Sequence, residues 1–508
     1  MNYILIKCLN ATVLLAILLF VCESSLQAQA VAKSVVTNQE GDLIPFDYDP
    51  LLNPSPVIHI RINGSEPMPF MLDTGTSGPL GLDIWAAKRL KLTPNGQKMH
   101  VINGNKRGEV AALKKVDLIG REPGTMKRIS VPVDLDMAGI LDLGIPSENA
   151  VHERIAGIFG LAIFDHATAC FDFVAKTVTL YPDPHPPIHL PGAFVLPIKQ
   201  AENGLFTVGL TDAEGGTVDA IIDTGNAGVT LPASLALRFH PAATPAVFRR
   251  SVMVDGLHLS KRLLLPSLKI GDLTEANIVV DTHIKPSQIV SLGMSYLRRF
   301  RVTLDFYNSQ MLLERASDYA EQSRLPGVTG IILMRSAKEF HVIDVLPSSP
   351  ASQAGIRIGD IIVQIDNHPI VAMPSAAVHQ RLDGWADTPI ELLVKRGNAQ
   401  PTQIKFRRKS LFSLADKLVG GAIIGIAVEH TDDMKLLVIA VEGDSVARKA
   451  GITVGDEILK INALVVAKTP IEQLMAALQP STNSTLTLQI VRKGEKKTSE
   501  VKLMVEKL

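Results

Sequence analysis

The tripeptide Asp-Thr-Gly occurs twice, in "FMLDTGTSGP" (70–79) and "AIIDTGNAGVTLP" (220–232), each time directly after apolar residues. Asp73 and Asp223 are 150 residues apart, and other features recur at nearly that offset. "VING" (101–104) matches "MVDG" (253–256), with Gly104 and Gly256 separated by 152 residues; "VDLIG" (116–120) matches "SLKIG" (267–271), with their glycines separated by 151. A tripeptide of this kind arises by chance in about one chain in ten of this length at average residue usage. Two copies at one place in a repeated unit are a different matter. They require two similar folding units whose equivalent turns carry a carboxylate each.

Both units read as β structure. Asn103-Gly104 and Asp255-Gly256 are tight-hairpin signals. The units close alike, through "GIFGLAIFDHATACFDFVAKTVTLYP" (157–182) and "SLGMSYLRRFRVTLDFYNSQMLLE" (291–314). Each reads as apolar residues and a glycine, a short helix, a strand, an Asp-containing turn and a strand. Between the copies, "PDPHPPIHLPG" (182–192) carries five prolines and reads as an extended linker.

The C-terminal third holds a second duplication. "SPASQAGIRIGDIIVQIDN" (349–367) matches "DSVARKAGITVGDEILKIN" (444–462), with Gly359 and Gly455 separated by 96 residues. A helical stretch and a hairpin follow each copy, the hairpins turning at "RGN" and "KGE".

Two carboxylates held about 3 Å apart cannot both ionise and therefore share a proton. The ionised one can draw a proton from water while the protonated one donates to a scissile carbonyl. Gly75 and Gly225 allow close backbone approach to the carboxylates, and Thr74 and Thr224 can hydrogen-bond across the pair.

On these residues, 57–314 resembles the retropepsin/pepsin-type aspartic proteases, in the bacterial single-chain form with two retropepsin-like lobes. Ile158-Phe159-Gly160 and Ser291-Leu292-Gly293 match the elements that thread beside the active turns in that family. The resemblance implies a hairpin flap near Asn103-Gly104 or Asp255-Gly256 that closes over substrate. It also implies support of the aspartates by Thr76 and by its counterpart Asn226, although the family carries Ser, Thr or Ala there. Ser291 departs from the apolar pattern, and there is no tyrosine between residues 49 and 180 to act as a pepsin-like flap tyrosine. Residues 324–410 and 419–508 resemble PDZ domains of bacterial protease-associated type. That resemblance implies capture of C-terminal peptides by Thr329-Gly330-Ile331 and Ile424-Gly425-Ile426.

A serine-protease reading of Ser77 fails, because His59 is the only upstream histidine past residue 30 and no room remains for the His and Asp elements. His185 and His189 lie in the proline-rich linker without a third ligand nearby, so no metal is expected and no cofactor is implied. The 51 basic and 51 acidic residues balance, and aromatics make up 5%, which excludes a nucleic-acid footprint.

The N-terminus carries "ATVLLAILLFVC" (11–22), short for a membrane span, and Ala28-Gln29-Ala30, an A-x-A cleavage signal. Val21 stands where lipidation sites take a small residue, so cleavage is expected rather than lipid attachment at Cys22. Cys170 would then be the remaining cysteine, a core residue.

The expected architecture is mainly β. It comprises a signal peptide (1–30), protease lobes at 31–181 and 192–316 about a linker (182–191), and PDZ domains at 324–410 and 419–508. The expected function is an exported, periplasmic or secreted, aspartic endopeptidase acting on protein or peptide substrates. The alternative is an inactive peptide-binding scaffold of the cell envelope built on the same modules.

Overall fold

The computed structural model describes residues 20–22, 41–49, 53–78, 80–101, 107–122, 125, 127–141, 143, 154–164, 167–182, 190–239, 247–253, 256–283, 289–336, 338–373, 375–413, 424–431, 433–441, 445–478, 484–495 and 497–505. Asn103, Gly104 and Asp255, the linker histidines and most of the N-terminal apolar segment lie outside these. Phe20–Cys22 pairs antiparallel with Met99–Val101. Among the described residues no helix is long and apolar enough to cross a membrane.

The fold is mainly β, as the alternating patterns require. The two Asp-Thr-Gly units have matching topology. In the first, Met68–Leu72 leads into the turn and runs parallel to Gly157–Phe159. In the second, Thr217–Ile222 leads in and runs parallel to Ser291–Leu292. Each unit also contributes a long hairpin. Pro94–Val101 pairs with Arg107–Ala112, and Val247–Met253 pairs with Gly256–Ile270, closing at a Met253–Gly256 pair.

A sheet made by both units joins them. Its order is Asp42–Pro45, Thr177–Pro182, Ala167–Asp172, Phe300–Asp305, Gln310–Arg315, Phe194–Gln200, every neighbour antiparallel. The crossing point is the pairing of Ala169, Cys170 and Phe171 with Leu304, Thr303 and Val302. Both units accordingly share one apolar core, including Phe70, Phe159, Phe171, Tyr296 and Phe300, all fully buried. Cys170 is buried at the crossing point, the core position its sequence context implied.

The C-terminal modules are near-copies. The first orders its sheet as Ile331–Ser336, Glu339–Val345, Ile361–Ile365, Pro389–Lys395, Thr402–Arg407 beside the helix Ser375–Leu382. The second orders Ile426–His430, Leu436–Val441, Glu457–Ile461, Ser484–Val491, Thr498–Val505 beside Ile471–Ala477. The repeat extends to ion pairs made on a buried aspartate. Arg396 grips Asp360 at 2.7 Å and Arg492 grips Asp456 at 2.8 Å. The first module rests on the second Asp-Thr-Gly unit, with Val279 against Phe412 and the Arg298 guanidinium 4.8 Å from the Trp385 ring centre.

Candidate active site

Each Asp-Thr-Gly turn is fixed by the strand beside it. The Asp73 N–H donates to Phe159 O (2.9 Å) and the Asp223 N–H to Leu292 O (3.1 Å). Past these strands the chain threads through a gap that tolerates no side chain. A Cβ on Gly160 would collide with the carbonyls of Gly78 and Thr76, and one on Gly293 with those of Gly228 and Asn226. Glycine is therefore required at both threading points.

The threonines lock the turns together. The Thr74 N–H donates to Thr224 Oγ1 and the Thr224 N–H to Thr74 Oγ1, both at 3.0 Å. Thr74 Oγ1 in turn donates to Ile222 O, and Thr224 Oγ1 to Leu72 O, both at 2.8 Å. Each hydroxyl thus accepts from and donates to the opposite unit. The network is closed, buried and symmetric, and it brings together residues 150 apart in sequence. Gly75 and Gly225 have a mutual reason. A Cβ on Gly75 would sit on the Asp223 carboxyl, and one on Gly225 on the Asp73 carboxyl.

The carboxyls of Asp73 and Asp223, 1% and 2% exposed, hydrogen-bond to each other. Burial raises both above the ordinary carboxylate range. For Asp73 this is opposed first by Thr76 Oγ1 to Oδ2 and Gly75 N–H to Oδ1, both at 2.8 Å, and then by Asp223 and the Gly225 N–H, whereas Asp223 is relieved only by the backbone N–H groups of Asn226 and Gly225. Asp223 is raised further, by burial and then by the neighbouring charge of Asp73.

The symmetry breaks at the next residue. Where Thr76 offers its hydroxyl to Asp73, Asn226 offers Asp223 its backbone N–H, at 2.9 Å to Oδ1. Its side-chain amide points elsewhere, donating to Thr230 Oγ1 (2.8 Å) and Ser291 Oγ (2.5 Å) and accepting from Gly228 N–H (3.1 Å). The two sequence departures in the second unit are therefore one feature: the serine at 291 is a partner for the amide at 226. Sequence reasoning treated them separately and also missed Ser55, whose buried hydroxyl donates to Gly225 O at 3.0 Å from the other unit. An isolated serine in an apolar strand carries no signal of such a long-range role.

Of the flap candidates, Gly256 lies at the closing pair of the second hairpin, while Asn103, Gly104 and Asp255 are outside the described residues. Ser77 makes no hydrogen bond to either carboxyl among the bonds the turns display. Among the described residues there is no group of three or more His, Cys, Asp or Glu able to hold a metal.

The candidate peptide loops precede the edge strands Ile331–Ser336 and Ile426–His430. Gly330 (φ 82°) and Gly425 (φ 76°) take left-handed conformations. Gly330 also abuts Ser349, leaving no space for a Cβ. Thr329 is buried, its hydroxyl accepting from Ile331 N–H at 3.3 Å. Ile331, Ile424 and Ile426 are buried beneath the loops.

Comparison with known proteins agrees with this layout. Residues 58–160 match the aspartyl protease family model, and residues 341–396 and 422–503 each match a PDZ domain model. The chain carries an aspartyl protease domain followed by two PDZ domains. Among curated relatives, a probable CtpA-like serine protease of Staphylococcus epidermidis is 28% identical over 109 residues, 21% of this chain and 22% of the relative. A carboxy-terminal-processing protease of Bartonella bacilliformis is 30% identical over 109 residues, 21% of this chain and 25% of the relative. The chain thus spans about a quarter of the length of these relatives, or less. Among solved structures, soybean basic 7S globulin is 12% identical over 55% of this chain and 96% of its own, with a TM-score of 0.36.

Proposed function

We propose that the protein is an exported aspartic endopeptidase in which Asp73 and Asp223 activate water against a peptide carbonyl. The observation that carries this reading is the buried, mutually hydrogen-bonded carboxyl pair held by the reciprocal Thr74–Thr224 lock. At one shared proton the unequal donor sets favour ionised Asp73 and protonated Asp223. Asp73 takes the proton of the attacking water as its oxygen bonds to the carbonyl carbon, and Asp223 donates to the carbonyl oxygen. As the C–N bond breaks, Asp73 passes its proton to the leaving amine nitrogen and one hydroxyl of the tetrahedral diol returns a proton to Asp223, which restores the pair. The pair titrates as a unit, so the bias is one of population. Thr76 steadies the carboxylate in the form that acts as base. The PDZ modules supply recruitment, adding a peptide strand to a sheet edge and seating its terminal side chain in an apolar pocket. Export rests on the apolar stretch 11–22 and the Ala28-Gln29-Ala30 signal.

The test is hydrolysis of a reduced, carboxymethylated protein by residues 31–508 from pH 3 to 8, beside Asp223→Asn. The expected result is cleavage by wild type at acid pH and a loss of about 10²–10⁴-fold in the variant. Inert wild type under all conditions would favour a peptide-binding scaffold of the envelope. Equal activity in both would remove the chemistry from these aspartates.

A further inference from the structure

The two PDZ modules are built alike but are not placed alike. The recognition groove of such a module lies between its edge strand and its long helix, here Ile426–His430 and Ile471–Ala477 in the second copy. Among the described residues Ile426–His430 pairs along one side only, with Leu436–Val441. Beside that strand and against that helix lies the hairpin Ile331–Ser336/Glu339–Val345 of the first module. No backbone ladder joins the two edge strands among the described pairings. Contact is made by side chains: Ile332, Met334 and Ile343 are buried in one apolar cluster with Ile424, Ile426, Met475 and Leu478. Those four are the loop and helix residues that would enclose a terminal apolar side chain.

The sequence of the hairpin fits this placement. Ile331, Leu333, Phe340 and Val342 turn inward to the first module's own core. Alternate residues Ile332, Met334 and Ile343 form a second apolar face, which a half-solvated sheet would make polar. In the second module the residues corresponding to Ile332 and Met334 are Ala427 and Glu429. The shared fold therefore does not demand apolar residues there.

We infer that the groove of the second PDZ module is held shut in the resting chain by the first module's hairpin, through Ile332, Met334 and Ile343. A peptide reaches the second groove only when the hairpin withdraws.

The test uses residues 31–508 carrying Met334→Glu and Ile343→Glu, which charge the outer face and spare the first module's own core. Hydrogen exchange is expected to rise at least about tenfold in 426–430 and 471–477, with 484–505 unchanged as the folding control. Capture of a random C-terminal heptapeptide library provides the functional arm. Val428, on the second module's edge strand, is half-buried against the same apolar cluster, and wild-type capture should be insensitive to Val428→Glu. The opened variant should gain a further set of peptides that Val428→Glu removes. Wild-type capture that falls with Val428→Glu would overturn the inference, as would unchanged exchange in a folded opened variant. If both charged positions unfold the first module, Met334→Lys alone, read by the same exchange, replaces the pair.

Discussion

The turns at Asp73 and Asp223 have one backbone design and two electrostatic ones. Up to the glycine they are interchangeable: the same parallel strand beside them, the same threonine lock, the same absence of room for a Cβ. One residue later the first turn gives its carboxylate a hydroxyl, while the second turns an amide away to Thr230 and Ser291. The difference teaches that the two units share the scaffold that forces two carboxyls together, while the residue after the glycine gives only one of those carboxyls a side-chain hydroxyl.

The harshest way to break the symmetric part is Gly75→Ala or Gly225→Ala. Each Cβ would displace the opposite carboxyl, so cleavage should fall by at least about 10²-fold, from either side alike. Activity assays on both variants check this, and a loss confined to one would mean that the turns are not equivalent. Next in size, Thr74→Val and Thr224→Val each leave a buried carbonyl and N–H without partners. Each should cost about 1–3 kcal/mol in chemical denaturation. Because the two hydroxyls hold four different backbone groups, the double variant should cost about the sum of the singles, and any departure from the sum measures their coupling.

The asymmetric part is sharpened by Thr76→Ala. Losing a donor to its ionised form raises Asp73, so the acid limb of the pH–rate profile should move to higher pH. Asn226→Ala should leave that limb in place and act on stability through Thr230 and Ser291, and an equal displacement of the limb would contradict the assignment. The smallest expected effect is thermal. Asp223 is raised in the folded state, so ionising it opposes folding. That penalty is absent below its unfolded value of 3.8 and grows as pH rises toward the folded value. Asp223→Asn should therefore melt roughly 2–4 °C higher at neutral pH and no higher at about pH 3, by calorimetry.

Much of this was legible in sequence because duplication converts weak motifs into strong ones. The repeated Asp-Thr-Gly, the threading glycines and the paired Gly-Asp turns of the C-terminal third located the turns and the mainly β class. What could not be read was long-range and polar. The Ser55 bond to Gly225, the pairing of Ser291 with Asn226, and the partner chosen by the Ile332–Met334 face depend on neighbours that only the folded chain supplies. Spacing reports what a residue alternates with along one strand; it says nothing of which strand arrives opposite.

The sheet shared by the two lobes sets a schedule for a chain that emerges from its N-terminus. Ala167–Asp172 finds its outer neighbour only when Phe300–Asp305 has appeared, and the Asp223 turn waits for Ser291–Leu292. A chain that appears N-terminus first therefore cannot set its two aspartates side by side until about three fifths of its 508 residues are out, however early the first turn is made.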